Sequence, residues 1–200
     1  RLTLVFLGLS IGLNSLAQTD VLIDLEQWKG KKHSIPFHIN SVQNSTQNST
    51  EIGQIQITKK RAKTIRFENS SGPMIQKFID KNFSPGKELD IIMEIERLTI
   101  KEVIFKKKKT HALLFTCKFY KNDNSQSQAL YTFNAKNSIP KKNALKLSMT
   151  NYIGRALTSA ILNFKKSYKK HPEWKKTNIN SPDIKIHKSV SLNNTNAGDT

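Results

Sequence analysis

A chain of 200 residues with 36% hydrophobic content is long enough for one domain with a real core, and its 33 Lys+Arg against 15 Asp+Glu give a formal net charge of +18. Its single cysteine, Cys117, excludes an internal disulfide scaffold. Lysine greatly outnumbers arginine, whereas base-specific nucleic-acid readers lean on arginine for bidentate contacts; scattered lysine argues for a soluble surface instead.

Residues 2–13 form an apolar run, followed by Ser15-Leu16-Ala17. An apolar segment with small residues at the −3 and −1 positions is the pattern of a secretory signal peptide, and the run is shorter than the ~20 residues a membrane span needs. Residues 1–17 are therefore expected to be cleaved as a leader, with the mature chain starting at Gln18 and located in the periplasm or secreted. Gly8, Ser10 and Gly12 disfavour the competing reading of a buried N-terminal helix. Arg1 is expected to be the remnant of a longer positive segment. No cysteine follows Ala17 to carry acyl chains, so no membrane anchor is expected in the mature chain.

Val21 to Leu25 alternate and predict a strand. Ser34 to Ile39 predict a short second strand, with Pro36 placing it at an edge. Residues 43–50 contain a duplicated Gln-Asn-Ser-Thr tetrapeptide, a solvated loop by composition. Ile52 to Ile57 and Thr64 to Phe67 predict further strand. Met74, Ile75, Phe78, Ile79 and Phe83 recur at helical spacing after Pro73, which predicts a helix over residues 72–83.

A three-stranded meander follows. Leu89, Ile91, Met93 and Ile95 alternate, and then Leu98 and Ile100 take the opposite parity, which places a bulge near Arg97. Lys106 to Lys109 read as a turn-like cluster. His111, Leu113, Phe115, Cys117 and Phe119 share one face, making Cys117 a buried core thiol. Residues 121–125 predict a hairpin turn, and Ala129, Tyr131, Phe133 and Ala135 the inner face of the last strand. Met149, Tyr152, Ile153, Ala156, Leu157, Ala160, Ile161 and Phe164 form a 3.6-period stripe. It predicts a helix over 148–170 capped by Ser148 and closed by Pro172. From about Thr177 the chain is polar with isolated apolar residues, a composition expected to stay disordered. The expected organisation is a leader at 1–17, one domain at 18–172 and a basic, polar tail at 173–200. The fold class is α+β: an antiparallel sheet with two helices packed on one face, a two-layer sandwich.

Chemistry-bearing patterns are sparse. The five histidines form no His-x-x-x-His pair or Cys/His cluster, and the glycines are scattered singly, so no metal, cofactor or phosphate-cradling loop is expected. Glu94 and Glu96 are spaced as a carboxylate pair, but on the polar face, where ion pairs with neighbouring lysines account for them. Residues 108–120 combine lysines and aromatics as RNA-recognition strands do. That motif's glycine is absent, and Phe115 and Phe119 share the core parity.

The polar loop leading into Glu51-Ile52-Gly53, the helix after Pro73, the meander opening Glu88-Leu89-Asp90-Ile91-Ile92-Met93, and the last helix ending Phe164-Lys165-Lys166 together resemble small periplasmic proteins. Those are the YajG-like putative lipoproteins and the auxiliary lipoproteins of envelope ABC transporters. The resemblance spans most of residues 21–170 and departs in the missing acylated cysteine. It implies a non-catalytic envelope interaction module, and it supplies no catalytic residues. The sequence thus leaves two readings. One is an exported envelope protein that binds a partner or anionic surface through its sheet edge or polar face. The other is an exported polyanion binder, for extracellular DNA or anionic glycans, with contacts at Lys106, Lys107, Lys108 and Lys109. No specific nucleic acid is expected, and no enzymatic activity.

Overall fold

The computed structural model describes residues 20–45, 50–58, 61–105, 108–122, 129–139 and 145–175. The expected leader, residues 46–49 of the polar loop, Lys106 and Lys107, turn residues 123–125 and the tail from residue 176 lie outside the described residues.

The first strand, β1 (Val21–Ile23), runs into a 3₁₀ turn at Leu25–Gln27, started by the Asp24 carboxylate accepting from the Glu26 amide. The expected second strand divides around Pro36 into β2 (His33–Ser34) and β3 (His38–Asn44). An imino nitrogen cannot donate to a ladder, so the break falls there. β3 also takes in Gln43 and Asn44, which composition assigns to the loop. β4 (Glu51–Thr58) and β5 (Arg61–Phe67) form a hairpin, followed by α1 (Ser71–Asn82) and β6 (Phe83–Ser84). The meander is β7 (Asp90–Phe105), β8 (Lys108–Lys121) and β9 (Tyr131–Ile139), and α2 (Leu145–Lys170) closes the domain. α2 starts before Ser148, which therefore lies inside the helix rather than capping it. Trp174, assigned to the tail by composition, sits in a 3₁₀ turn at Pro172–Lys175 and is buried.

The fold is α+β with a mixed sheet, not a wholly antiparallel one. β4–β5, β7–β8 and β8–β9 pair antiparallel, as expected. β1 lies parallel to β5, and both β3 and β4 lie parallel to β7. The cause is topological: β3 and β4 run in the same direction along one edge of β7. Asn44 sits beside Ile95, and Gly53 sits beside Ile100. The chain thus takes nine residues from Asn44 to Gly53 while β7 takes five.

The apolar face is built as the alternation dictates. On β7, Ile91, Met93 and Ile95 are buried, and so are Leu98 and Ile100 beyond a register shift between Ile95 and Arg97. Glu96 is the extra residue that re-phases the strand. Leu113, Phe115, Cys117 and Phe119 of β8 join the same core as the α2 stripe from Met149 to Tyr168 and Ile75, Phe78 and Ile79 of α1. Both helices cover this one face. Phe164 anchors α2, with its ring stacked on Phe119 at 4.4 Å and tilted against Phe37 at 4.6 Å.

Candidate functional site: the fork in the sheet

Because β3 pairs with the first half of β7 and β4 with the second, residues 96–99 of β7 are left at a fork between them. A cleft of about 400 Å³ opens there. Its floor includes the buried Ile52 and Leu98, and its walls carry Asn44, Glu51, Ser71, Glu96, Arg97, Thr99 and Lys101.

Three local features hold the fork open. Ser45 donates to the Ile95 carbonyl from both its amide and its hydroxyl, each at 3.1 Å, and this ends β3. Asn44 donates from its side-chain amide to the Ser71 hydroxyl at 2.6 Å, which ties the end of β3 to the first turn of α1. Gly53 has φ of 140°, and an added Cβ there would run into the Ile100 carbonyl oxygen, so only glycine lets β4 rejoin β7 at that point.

The outer face of the meander continues from the cleft, and among the described residues neither helix packs on it. It carries a row of polar cross-strand contacts. Glu96 forms an ion pair with Lys118, holding its ammonium above its ordinary range. Among the described residues Glu94 forms no lysine ion pair of its own, though its charge also acts on Lys118. It accepts from the Tyr120 hydroxyl at 2.7 Å, and burial followed by this bond pushes the Tyr120 phenol well up. Thr116 donates to Asn134 at 2.8 Å. Ile92 and Ala112 are buried on this side as well, so the face is not purely polar.

The carboxylates of Glu94 and Glu96 thus have different first partners, Tyr120 and Lys118, while the charge of each reaches both. Cys117 is fully buried in the core, and its thiol is raised well above its usual range by burial, then by the Glu96 charge. The histidines are dispersed: His38 contacts Asp90 at 3.1 Å, His171 contacts Glu173 at 2.6 Å, and His111 is buried on the inner face of β8. Among the described residues no three His, Cys, Asp or Glu side chains could hold a metal ion together. Lys108 and Lys109 open β8 as partners of Phe105 and Ile104. The cleft combines two carboxylates, two cations and three hydrogen-bonding side chains over an apolar floor, which suits recognition of a polar partner by ion pairs and hydrogen bonds. Sequence reasoning located the bulge but not the strand ends that flank it, Asn44 and Gly53. The parity switch and Gly53 were the available signals, and only the parallel register joins them.

No family model matches the chain, and no curated protein matches it. Among solved structures it is similar to protein XCC0632 from Xanthomonas campestris, whose description names the family model DUF330. The TM-score is 0.43 at 9% identity, over 78% of this chain and 97% of that one. No helix among the described residues is long and apolar enough to cross a membrane.

Proposed function

We propose that this protein is an exported, non-catalytic binding or assembly module of the cell envelope, which docks on a partner through the fork and outer face of its sheet. The observation that carries this reading is the one-sided architecture. Both helices bury the same face, while the opposite face keeps a mixed-charge cleft at the β7 bulge and a row of polar contacts along the strands. Sites on strands present side chains in fixed geometry, as a docking surface needs. The apolar run at 2–13 with Ser15 and Ala17 supports export. The sequence resemblance to auxiliary envelope lipoproteins supports the role of a partner-binding subunit.

The test has two parts. N-terminal sequencing of the protein from the envelope fraction is expected to read from Gln18; a chain beginning at Arg1 and found in cytosol would end the export claim. Affinity capture from envelope extract is then compared between wild type and Thr99→Arg. Loss of a defined partner in the variant is the expected result. Undiminished capture would remove the fork from the site.

A further inference from the structure

We infer that the outer face of the meander beyond the β7 bulge is a docking surface for a short acidic segment of a partner protein. The inference rests on the fork-docking reading above and names the chemistry of the partner that the site takes. The register sets three rows of outward side chains in line across the sheet. Arg97 lies opposite Thr116, which lies opposite Asn134. Thr99 is followed in the same way by Leu114 and Lys136, and Lys101 by Ala112 and Ser138. The two cations of β7 are four residues apart, about 13 Å along the strand, and Lys136 lies two strands from Thr99, about 10 Å across them. Arg97, Lys101 and Lys136 are exposed, and the three rows hold no acid. Among the described residues none of these three cations forms an ion pair.

The bulge divides β7 by charge. Before it the outer face carries Glu94 and Glu96, whose first partners are Tyr120 and Lys118. Beyond it the same face carries Arg97 and Lys101. Glu51, which reaches the cleft from β4, also has a partner. Three like charges on one small face repel one another, and an external anion relieves that repulsion.

The surroundings decide which anion. Half-buried Leu114 sits at the centre of the rows, and an apolar centre inside a polar rim is how protein interfaces are built. A uniformly anionic polymer extends beyond the rows along β7 and meets Glu94 and Glu96, which repel it. A bilayer is equally uniform, and it is flat, whereas Arg97, Thr99 and Lys101 also wall a cleft. A short acidic segment meets the cations and stops before the acids. In an extended chain, carboxylates four residues apart match the spacing of Arg97 and Lys101.

The experiment is an NMR titration of the isotope-labelled full chain at an ionic strength of about 0.15 M. The probe is the acetylated, amidated peptide Glu-Thr-Val-Thr-Glu, set against its Gln-Thr-Val-Thr-Gln counterpart. The expected result is amide shifts centred on Thr99, Leu114 and Lys136 with the acidic peptide and none with the neutral one. Arg97→Glu with Lys101→Glu is expected to cut those shifts about tenfold at a fixed peptide concentration. Arg97→Gln with Lys101→Gln is expected to cut them less, in the same direction, and the amide spectrum of each variant reports its fold. Lys166→Glu with Lys169→Glu on α2 makes the same change in net charge as the first pair and is expected to leave the shifts nearly unchanged. Shifts centred elsewhere, or equal losses in the two charge reversals, would reduce the effect to overall charge and overturn the proposal. Tighter binding of duplex DNA or of phosphatidylglycerol vesicles than of the acidic peptide at the same residues would overturn it in favour of a polyanion or a membrane. Unshifted rows together with loss of partner capture in Thr99→Arg would remove the acidic complement and leave docking at the fork standing, so the two claims fall separately.

Discussion

Single residues carry more of this architecture than their size indicates. Gly53 is the clearest: its φ of 140° is strained for any other residue, and the Ile100 carbonyl occupies the space of a side chain. Gly53→Ala is expected to cost at least about 1–3 kcal/mol in urea melts, the usual cost of a backbone held in a sparsely populated region. A neutral substitution would mean that β4 does not rejoin β7 there. Tyr168 makes a different kind of claim. Its hydroxyl donates to Glu88 at 3.2 Å, and Lys175 holds the Glu88 carboxyl below its ordinary value. Burial, and then Glu88, push the Tyr168 phenol from 10.0 up to about 12. A phenol raised in the folded state gives stability that is complete below its unfolded pKa and lost as pH rises through the folded one. Wild-type stability is therefore expected to fall between pH 10.0 and about 12. Tyr168→Phe removes this titration and should show a shallower fall. Parallel losses in denaturant midpoints across that range would contradict the assignment.

Among elements, β7 and α2 decide the fold. Glu96 is the unpaired residue of the bulge, so deleting it would leave Ile95, Leu98 and Ile100 opposite Cys117, Phe115 and Leu113 on the inner face, in one regular alternation. That deletion is expected to retain cooperative folding, and Glu96→Gln, which only weakens the ion pair with Lys118, is expected to cost about 0–1 kcal/mol. Deleting Thr99 instead would turn Ile100 to the outer face, because a one-residue slip flips every side chain beyond it, and is expected to abolish cooperative folding. Comparable thermal melts for the two deletions would show that the bulge does not set the register. On α2, Leu157→Ala or Phe164→Ala is expected to cost about 2–5 kcal/mol in denaturant melts, since both side chains are fully buried. A loss below about 0.5 kcal/mol would put the stripe at a surface. These elements were legible because each writes its own periodicity: the α2 stripe, the β8 alternation and the parity switch at Arg97 are local patterns. The parallel partners were not legible. Alternation tells which face of a strand is buried but not which strand lies beside it, and β3 and β4 share one edge of β7 only through long-range pairing. The cleft stayed hidden with them, since Asn44, Ser71 and Thr99 meet only once that edge is shared. The start of α2 was missed for another reason. Ser148 has cap chemistry, but Leu145 and Leu147 extend the apolar pattern ahead of it, and the helix extends too.

At the scale of the whole molecule, the sheet has two different faces. One packs against α1 and α2 in the core. The other keeps the fork and the polar row. This division is what the proposed module, engaging a partner at its side, requires. Site-specific photocrosslinking in cells that export the chain tests it most directly. A photoreactive residue is placed at Thr99 in the cleft, at Thr132 on the outer face of β9, or at Lys166 on α2, and adducts are read from the envelope fraction. The expected result is one discrete adduct from Thr99 and Thr132 and none from Lys166. Adducts from Lys166 alone, or equal smears from all three positions, would contradict a docking site at the fork.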